Sequence, residues 1–266
     1  MAQQTDWVPT TVDLEKPSAA RSYDYLLDGN HNFAVDRAFV EKMLAVQPEV
    51  KRFAQVNRAF LRRAVLFMLD QGIRQFLDLG SGIPTVGNVH EIAQEIDPAT
   101  RVVYVDNEHV AVAHSQLILK DNENAAMVHA DIVKPLLVLQ DPRTRQLLDF
   151  DQPIGILAIT IGHYVLTEHD PDGVFGAYRD AVCPGSCLAI THLTNDFLEL
   201  TNVTEGMKQS QNRIMARDRD EVTALFGDFE LVEPGLVTTS QWRPERASDA
   251  QTPDKDGLYA GVARKV

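Results

Sequence analysis

The 266-residue sequence predicts an α/β fold: a seven-stranded, mostly parallel sheet with helices on both faces, preceded by an N-terminal helical extension. Three observations predict it. From Gly72 onward, short apolar runs alternate with helical patterns. A glycine-rich turn, Asp78-Leu79-Gly80-Ser81-Gly82, follows the first run. An acidic residue (Asp78, Asp106 and Asp131) stands at or near the end of each of the first three runs.

Residues 1–20 carry Pro9, Pro17 and many polar groups without periodicity, and read as a poorly ordered or wrapping arm. Residues 21–71 form the helical extension or lid, and residues 72–266 the main domain. Within the extension one amphipathic helix spans Ala34 to about Ala45. A stronger one runs from about Glu49 to Asp70, with Phe53, Val56, Phe60, Ala64 and Met68 on one face. Lys51, Arg52, Arg58, Arg62 and Arg63 supply its polar side, and Gly72 stops it. That basic face reads as a solvated surface, with an acidic ligand as the alternative.

The strands follow in order at 75–79, 101–106, 125–131, 154–161 and 186–191. The unbroken apolar run of the fourth suits a strand covered on both faces. Helices fall at 88–95, 107–120, 143–148 and 171–181, the last capped by Asp170 with Pro171 in its first turn. A helix at 221–226, a strand at 229–232 and a strand at 258–263 complete the chain. The last two strands are expected to pair as an antiparallel hairpin, with the polar segment 242–256 as the loop between them.

Composition narrows the setting. The net charge of −13 gives no general attraction to nucleic acid or anionic lipid. No run approaches a membrane span, and the N-terminus lacks a secretory pattern. The two cysteines, Cys183 and Cys187, read as structural or incidental thiols, which points to the cytoplasm. No His/Cys/Asp/Glu cluster has metal-ligand spacing, so no catalytic metal is expected.

The glycine turn and the acids together suggest a nucleoside site. Glycines at a strand end let a ligand approach the backbone before a helix N-terminus. Asp106 ends the next strand, where an acid can accept hydrogen bonds from ribose hydroxyls. Asp131, closing the third, is placed for an adenine amino group, with Ile132 against the ring. A dinucleotide fingerprint needs a third glycine where Pro84-Thr85 stands, and no Gly-Lys-Ser/Thr follows for a phosphate loop. S-adenosyl-L-methionine carries no phosphate and fits this pattern better than a nicotinamide. The alternative for Asp106 and Asp131 is that they cap helices or loops.

Longer motifs then carry a family resemblance. They are Arg21-Ser22-Tyr23-Asp24-Tyr25-Leu26-Leu27-Asp28-Gly29 with Asn32-Phe33-Ala34 and Asp36-Arg37, then Asn57-Arg58 with Arg62-Arg63-Ala64. Gly72 through Thr85, Asn88-Val89-His90-Glu91, Val103-Tyr104-Val105-Asp106-Asn107 and Glu233-Pro234-Gly235 continue the series. From about residue 19 onward the sequence resembles the bacterial S-adenosyl methyltransferases first catalogued as a domain of unknown function. The resemblance implies a Rossmann-like class I methyltransferase fold with a helical extension over the donor site. It marks Asp78, Gly80, Ser81, Gly82, Asp106, Asn107 and Asp131 as donor-binding candidates. Where this chain has Leu27-Asp28-Gly29-Asn30-His31-Asn32, the family commonly shows Leu-Gly-Gly-Lys-Asp-Asn, so a lysine is lost. Tyr23, Tyr25 and Asn32 read as groups on a short turn that close over the methionine end of the donor; the alternative is that the tyrosines anchor the extension.

Methyl transfer is an in-line displacement that depends on alignment, and needs a base only if the acceptor is still protonated at attack. Gly162-His163-Tyr164, just past the fourth strand, offers His163 as a base and Tyr164 as an orienting or lining group. A structural histidine bonding a neighbouring loop is the competing reading for His163, and His192 is a weaker candidate. The expected acceptor is the O or N of a small molecule, since there is no basic nucleic-acid face. Residues 195–217, with Phe197, Leu198 and Met207, are expected to help enclose it or to pack as core. A non-catalytic donor sensor and a nicotinamide oxidoreductase are the rival readings.

Overall fold

The strands are short and rich in buried aliphatic residues, and they assemble into one eight-stranded sheet in a computed structural model that describes residues 13–84, 87–197, 213–250 and 256–266. The strands are β1 Gln75–Leu79, β2 Arg101–Asp106, β3 Ala125–His129, β4 Gly155–Ile159, β5 Cys187–Leu193, β6 Glu230–Leu231, β7 Val237–Thr238 and β8 Leu258–Arg264. Their order is β3-β2-β1-β4-β5-β8-β6, with β7 also paired to β8. β1 to β5 are parallel, while β8 runs antiparallel to β5, β6 and β7. β1 therefore has β2 on one side and β4 on the other, and strand order reverses there. Ligands in open α/β sheets bind beyond the strand carboxyl ends at such a point.

Nine helices are described: α1 Ala19–Leu26, α2 Ala34–Val46, α3 Val50–Asp70, α4 Val89–Ile96, α5 His109–Leu119, α6 Pro135–Leu139, α7 Pro142–Leu147, α8 Pro171–Ala181 and α9 Arg219–Ala224. Among the described residues no helix is long and apolar enough to cross a membrane. Side chains alternate across the sheet. Leu77, Leu79, Val103, Val105 and Ile156 pack with Phe175 and Tyr178 of α8 on one face. Phe76, Val102, Tyr104 and Leu157 pack with Phe60, Ala64 and Met68 of α3 on the other. The same alternation puts Asp78, two residues from Phe76, on the α3 side.

Several local expectations are corrected. Arg21–Leu26 lie in a helix, α1, rather than in a turn, with the Ser18 hydroxyl accepting the Arg21 amide at 3.2 Å. The region after β3 holds two short helices, each opened by a proline, where one was expected. β6 and β8 pair antiparallel as expected, but β7 joins the same edge. Trp242, assigned to a polar loop, is fully buried against Phe60 and Phe67. Arg63, assigned to the solvated helix face, clamps the Thr239 and Trp242 carbonyls at 2.6 and 2.9 Å. Thr85, Leu198 and Met207 lie outside the described residues; Phe197 packs on the main core.

Candidate active site

A cavity of 430 Å³ opens across the carboxyl ends of β3, β2, β1 and β4, roofed by α1 and α3. That volume suits a small-molecule ligand. Nine of the ten expected donor-site residues line it: Tyr23, Asp78, Gly80, Ser81, Gly82, Asp106, Asn107, Asp131 and Ile132.

The floor begins at the β1 turn. Gly80 and Gly82 both have positive φ, +68° and +67°, which favours glycine there. A Cβ on Gly80 would strike the Ile161 side chain, whereas one on Gly82 would meet nothing within 4 Å. The amides of Gly80 and Ser81 both donate to the Val105 carbonyl, at 2.8 and 3.0 Å, tying the turn to β2. Asp106 completes that tie: its Oδ2 accepts the Gly82 amide and its Oδ1 the Glu108 amide, each at 2.8 Å. Each oxygen keeps a second lone pair for a ligand hydroxyl. Asp131 accepts the Val133 amide at 3.1 Å and presents its remaining edge beside Ile132.

Burial dominates the electrostatics. Desolvation pushes the Asp78 carboxyl up to about 7, with Arg58 opposing and the nearby Asp106 adding to the rise. Asp106 is pushed up to about 6, again chiefly by burial, and the backbone amides it accepts offset part of that.

Two polar lining residues that the sequence did not point to come from α3, which also contributes Leu61. Arg58 was assigned to the solvated helix face, yet it lines both the cavity and a small adjoining chamber shared with Asp78, Asn88 and Tyr104. Its Nη2 lies 3.3 Å from Asn88 Oδ1, and its buried Nε has no hydrogen-bond partner among the described residues. Asn57 is 1 % exposed and donates from Nδ2 to the Tyr23 hydroxyl at 2.9 Å and to Thr160 Oγ1. Thr160, at the end of β4, has a φ of +59°, an outlier for a β-branched residue. Its amide is held by Thr191 Oγ1 at 2.7 Å.

Two expected residues lie elsewhere. Asn32 is not on the cavity: its amide donates to Asp24 Oδ2 and the Gly29 carbonyl at 2.9 Å each, and its oxygen accepts Arg37 at 3.0 Å. It closes the turn after α1. His163 also does not line the cavity, although its neighbour Tyr164 does. The His163 ring is buried beside His192, with burial, His192 and Arg217 holding it well below the usual imidazole range. His192 lies behind it, down to about 4 mainly through burial, with Nδ1 2.8 Å from the Leu193 carbonyl and Nε2 2.7 Å from Arg217. Arg217 donates further to the Gly162 and Val165 carbonyls at 3.1 and 2.6 Å. This buried group braces the 162–165 turn, so Tyr164 reaches the cavity while the histidines face inward. Burial also raises the Tyr164 and Tyr23 hydroxyls above the usual phenol value.

The far end of the cavity is lined by Leu166, Glu168, His169 and Arg213, with Arg213 paired to Glu168 at 2.9 Å. The polar lining is mostly acidic, with Asp78, Asp106, Glu108, Asp131 and Glu168 against Arg58 and Arg213.

Comparisons with known proteins give the family and the fold. A family model described as S-adenosyl methyltransferase matches residues 5–266. Among solved structures, the chain is similar to a methyltransferase candidate from Thermobifida fusca YX, with 40 % identity and a TM-score of 0.92 over 98 % of this chain and 99 % of that one. It is also similar to a DUF574 family protein from Streptomyces avermitilis MA-4680, with 35 % identity and a TM-score of 0.91 over 96 % and 99 %. A SAM-dependent methyltransferase from Anabaena variabilis shares the fold at 15 % identity and a TM-score of 0.51, over 96 % and 99 %. No curated protein matches the chain.

Proposed function

The chain belongs to the S-adenosyl methyltransferase family, and on that premise we propose that it transfers the methyl group of S-adenosylmethionine to the oxygen or nitrogen of a small molecule. The observation that carries this reading is the row of groups across four adjacent strand ends, with further space beyond them.

The residues fit the donor. A Cβ on Gly82 would stand in open space beside Asp106, so this part of the floor is kept clear for a ligand. Asp106 receives the ribose hydroxyls, and Asp131 with Ile132 the adenine. The methionine end then falls over β1. There Asp78, whose burial holds its carboxyl high, takes the ammonium, and Arg58, whose buried Nε has no hydrogen-bond partner among the described residues, takes the carboxylate. The bound donor supplies an electrophilic methyl group, and the protein holds it, aligns the acceptor and excludes water. α1 acts as the lid: Ala19, Ala20 and Tyr23 cover the cavity from above.

The space toward Leu166, Glu168 and His169 favours a catalyst over a donor sensor, which needs no room beyond the donor. The acidic lining favours a small acceptor over a nucleic acid. Cys183 and Cys187 are both free thiols, in keeping with a cytoplasmic setting.

Isothermal titration tests the reading. The protein is expected to bind S-adenosylmethionine and S-adenosylhomocysteine and to ignore NADH. Asp106→Ala and Arg58→Ala should each weaken both sulfur nucleosides by at least about tenfold, the scale of a lost charged hydrogen bond. Failure of the folded protein to bind either sulfur nucleoside would overturn the assignment of this cavity as the donor site.

A further inference from the structure

Ser81 Oγ, Arg58 Nε and Asn57 Oδ1 are the buried polar atoms of the cavity's lining residues with no hydrogen-bond partner among the described residues, and of these the Asn57 oxygen lies nearest the end of β4. The Tyr23 hydroxyl donates its one proton to the Ala54 carbonyl at 3.2 Å, so toward Asn57 it can only accept. This fixes the amide orientation, with Nδ2 facing Tyr23 and Thr160. The other end, Oδ1, is buried and has no hydrogen-bond partner among the described residues. An unmet buried acceptor costs about 1–3 kcal/mol, and native structures leave few of them without a reason.

Its place in the fold gives the reason. Adenine over β3, ribose over β2 and the methionine end over β1 leave the next strand end, that of β4, for the acceptor. Thr160 is that strand end, held in a left-handed conformation and bonded to Asn57. Resting on the donor placement above, we propose that the acceptor is an amine and that Asn57 Oδ1 accepts a hydrogen bond from its attacking nitrogen.

An oxygen acceptor at this position selects a partner that still carries a hydrogen, and an amine nitrogen attacks while keeping its N–H. The surroundings agree. The hydroxyls of Tyr23 and Tyr164 hold their protons firmly and His163 does not reach the cavity, so these three offer no base to strip an alcohol; Glu168, paired with Arg213, and His169 line the far end. The acidic lining attracts a cationic amine, which sheds its proton to water before attack. The nitrogen lone pair forms the N–C bond as the C–S bond breaks, with its electron pair staying on sulfur. The positive charge moves from sulfur to nitrogen, and the Asn57 oxygen faces it there. The surplus proton leaves to solvent afterwards.

Sinefungin tests this without an identified acceptor, because it carries a primary amine where the donor carries its methylsulfonium. Calorimetry on the full chain compares it with S-adenosylhomocysteine. The wild-type protein should prefer sinefungin by about tenfold, and Asn57→Leu should remove that preference, read as the ratio of the two affinities within each protein. Asn57→Asp keeps an acceptor oxygen in place and should retain or enlarge the preference. It carries the test alone if the leucine variant does not fold. A wild-type protein with no preference, or variants that shift both ligands equally, would overturn the inference with the donor site intact. Loss of S-adenosylhomocysteine binding by the wild type would instead remove the donor placement itself.

Discussion

Asp78 lies on the same sheet face as Phe76 and below α3, so its carboxyl is removed from water before any ligand arrives. The sign of the resulting pH dependence follows. A carboxyl raised to about 7 in the folded protein holds a proton that the unfolded chain has already released, so stability falls as pH rises from the ordinary carboxylate range toward 7. Donor binding has the opposite sense. An incoming ammonium favours the ionised acid, so the complex releases protons and affinity rises with pH. S-adenosylhomocysteine affinity should improve from about pH 5.5 to about pH 8, by up to about tenfold per unit below the Asp78 titration. Calorimetry in buffers of different ionisation enthalpy should register the released proton. Asp78→Asn should flatten the profile to what Asp106 leaves, and an unchanged slope in that variant would remove Asp78 from the ammonium contact.

Legibility differs among such residues for physical reasons. Strand-end acids announce themselves because strand, turn and acid are contiguous in sequence. Asn57 had a signal too: it falls on the spacing of Phe53, Phe60 and Ala64, and a polar residue on a buried helix face needs a partner. Val56, placed on that face from sequence, is only partly buried. His163 had none, because the direction of its ring is set by Arg217, far away in the chain, through the Gly162 and Val165 carbonyls.

At the scale of elements, the extension is joined internally by one buried ion pair. Asp36 accepts Arg21 Nε at 2.7 Å, the Ser18 amide at 3.0 Å and the Phe33 amide at 2.8 Å, and so links the start of α1 to the start of α2. Arg21 also donates to the Lys16 and Asp13 carbonyls and lies over the Phe33 ring. Asp36→Ala leaves a buried guanidinium without its counter-charge, a change that costs about 3–5 kcal/mol. Denaturant unfolding should show a loss of that size, or a separate early transition if α1 and α2 detach first. A loss below about 1 kcal/mol would show that the extension contributes little to the fold. The sequence disclosed the long α3 through its periodicity, but not the eight-residue α1, whose helical signal rests on a single serine cap and mixed polar residues. Likewise Trp242 sits among polar neighbours, and only its contacts with Phe60 and Phe67, distant in sequence, make it part of the core.

For the whole molecule, the strand–helix alternation disclosed the parallel sheet because each β-α step is local, whereas the strand order, with its switch point at β1, is visible only in the structure. The edge was less legible. β6 and β7 are two residues each, too short for a pattern, and both exist because β8 offers them a partner. The sheet is rigid and covered on both faces, so a ligand at its end gains most from what closes above it. α1 is the element placed to do so, since its first turn lines the cavity and Ala20 donates its amide to Glu108 at 3.3 Å, next to the position proposed for the ribose. Saturating S-adenosylhomocysteine at about a hundredfold over its Kd should stabilise the protein by about 2.7 kcal/mol and raise its melting temperature by several degrees. If α1 is a lid, amide exchange in Ala19–Leu26 should slow more than exchange in α7, which lies away from the cavity. Equal slowing in the two helices would mean that α1 anchors the extension and takes no part in closing over the donor.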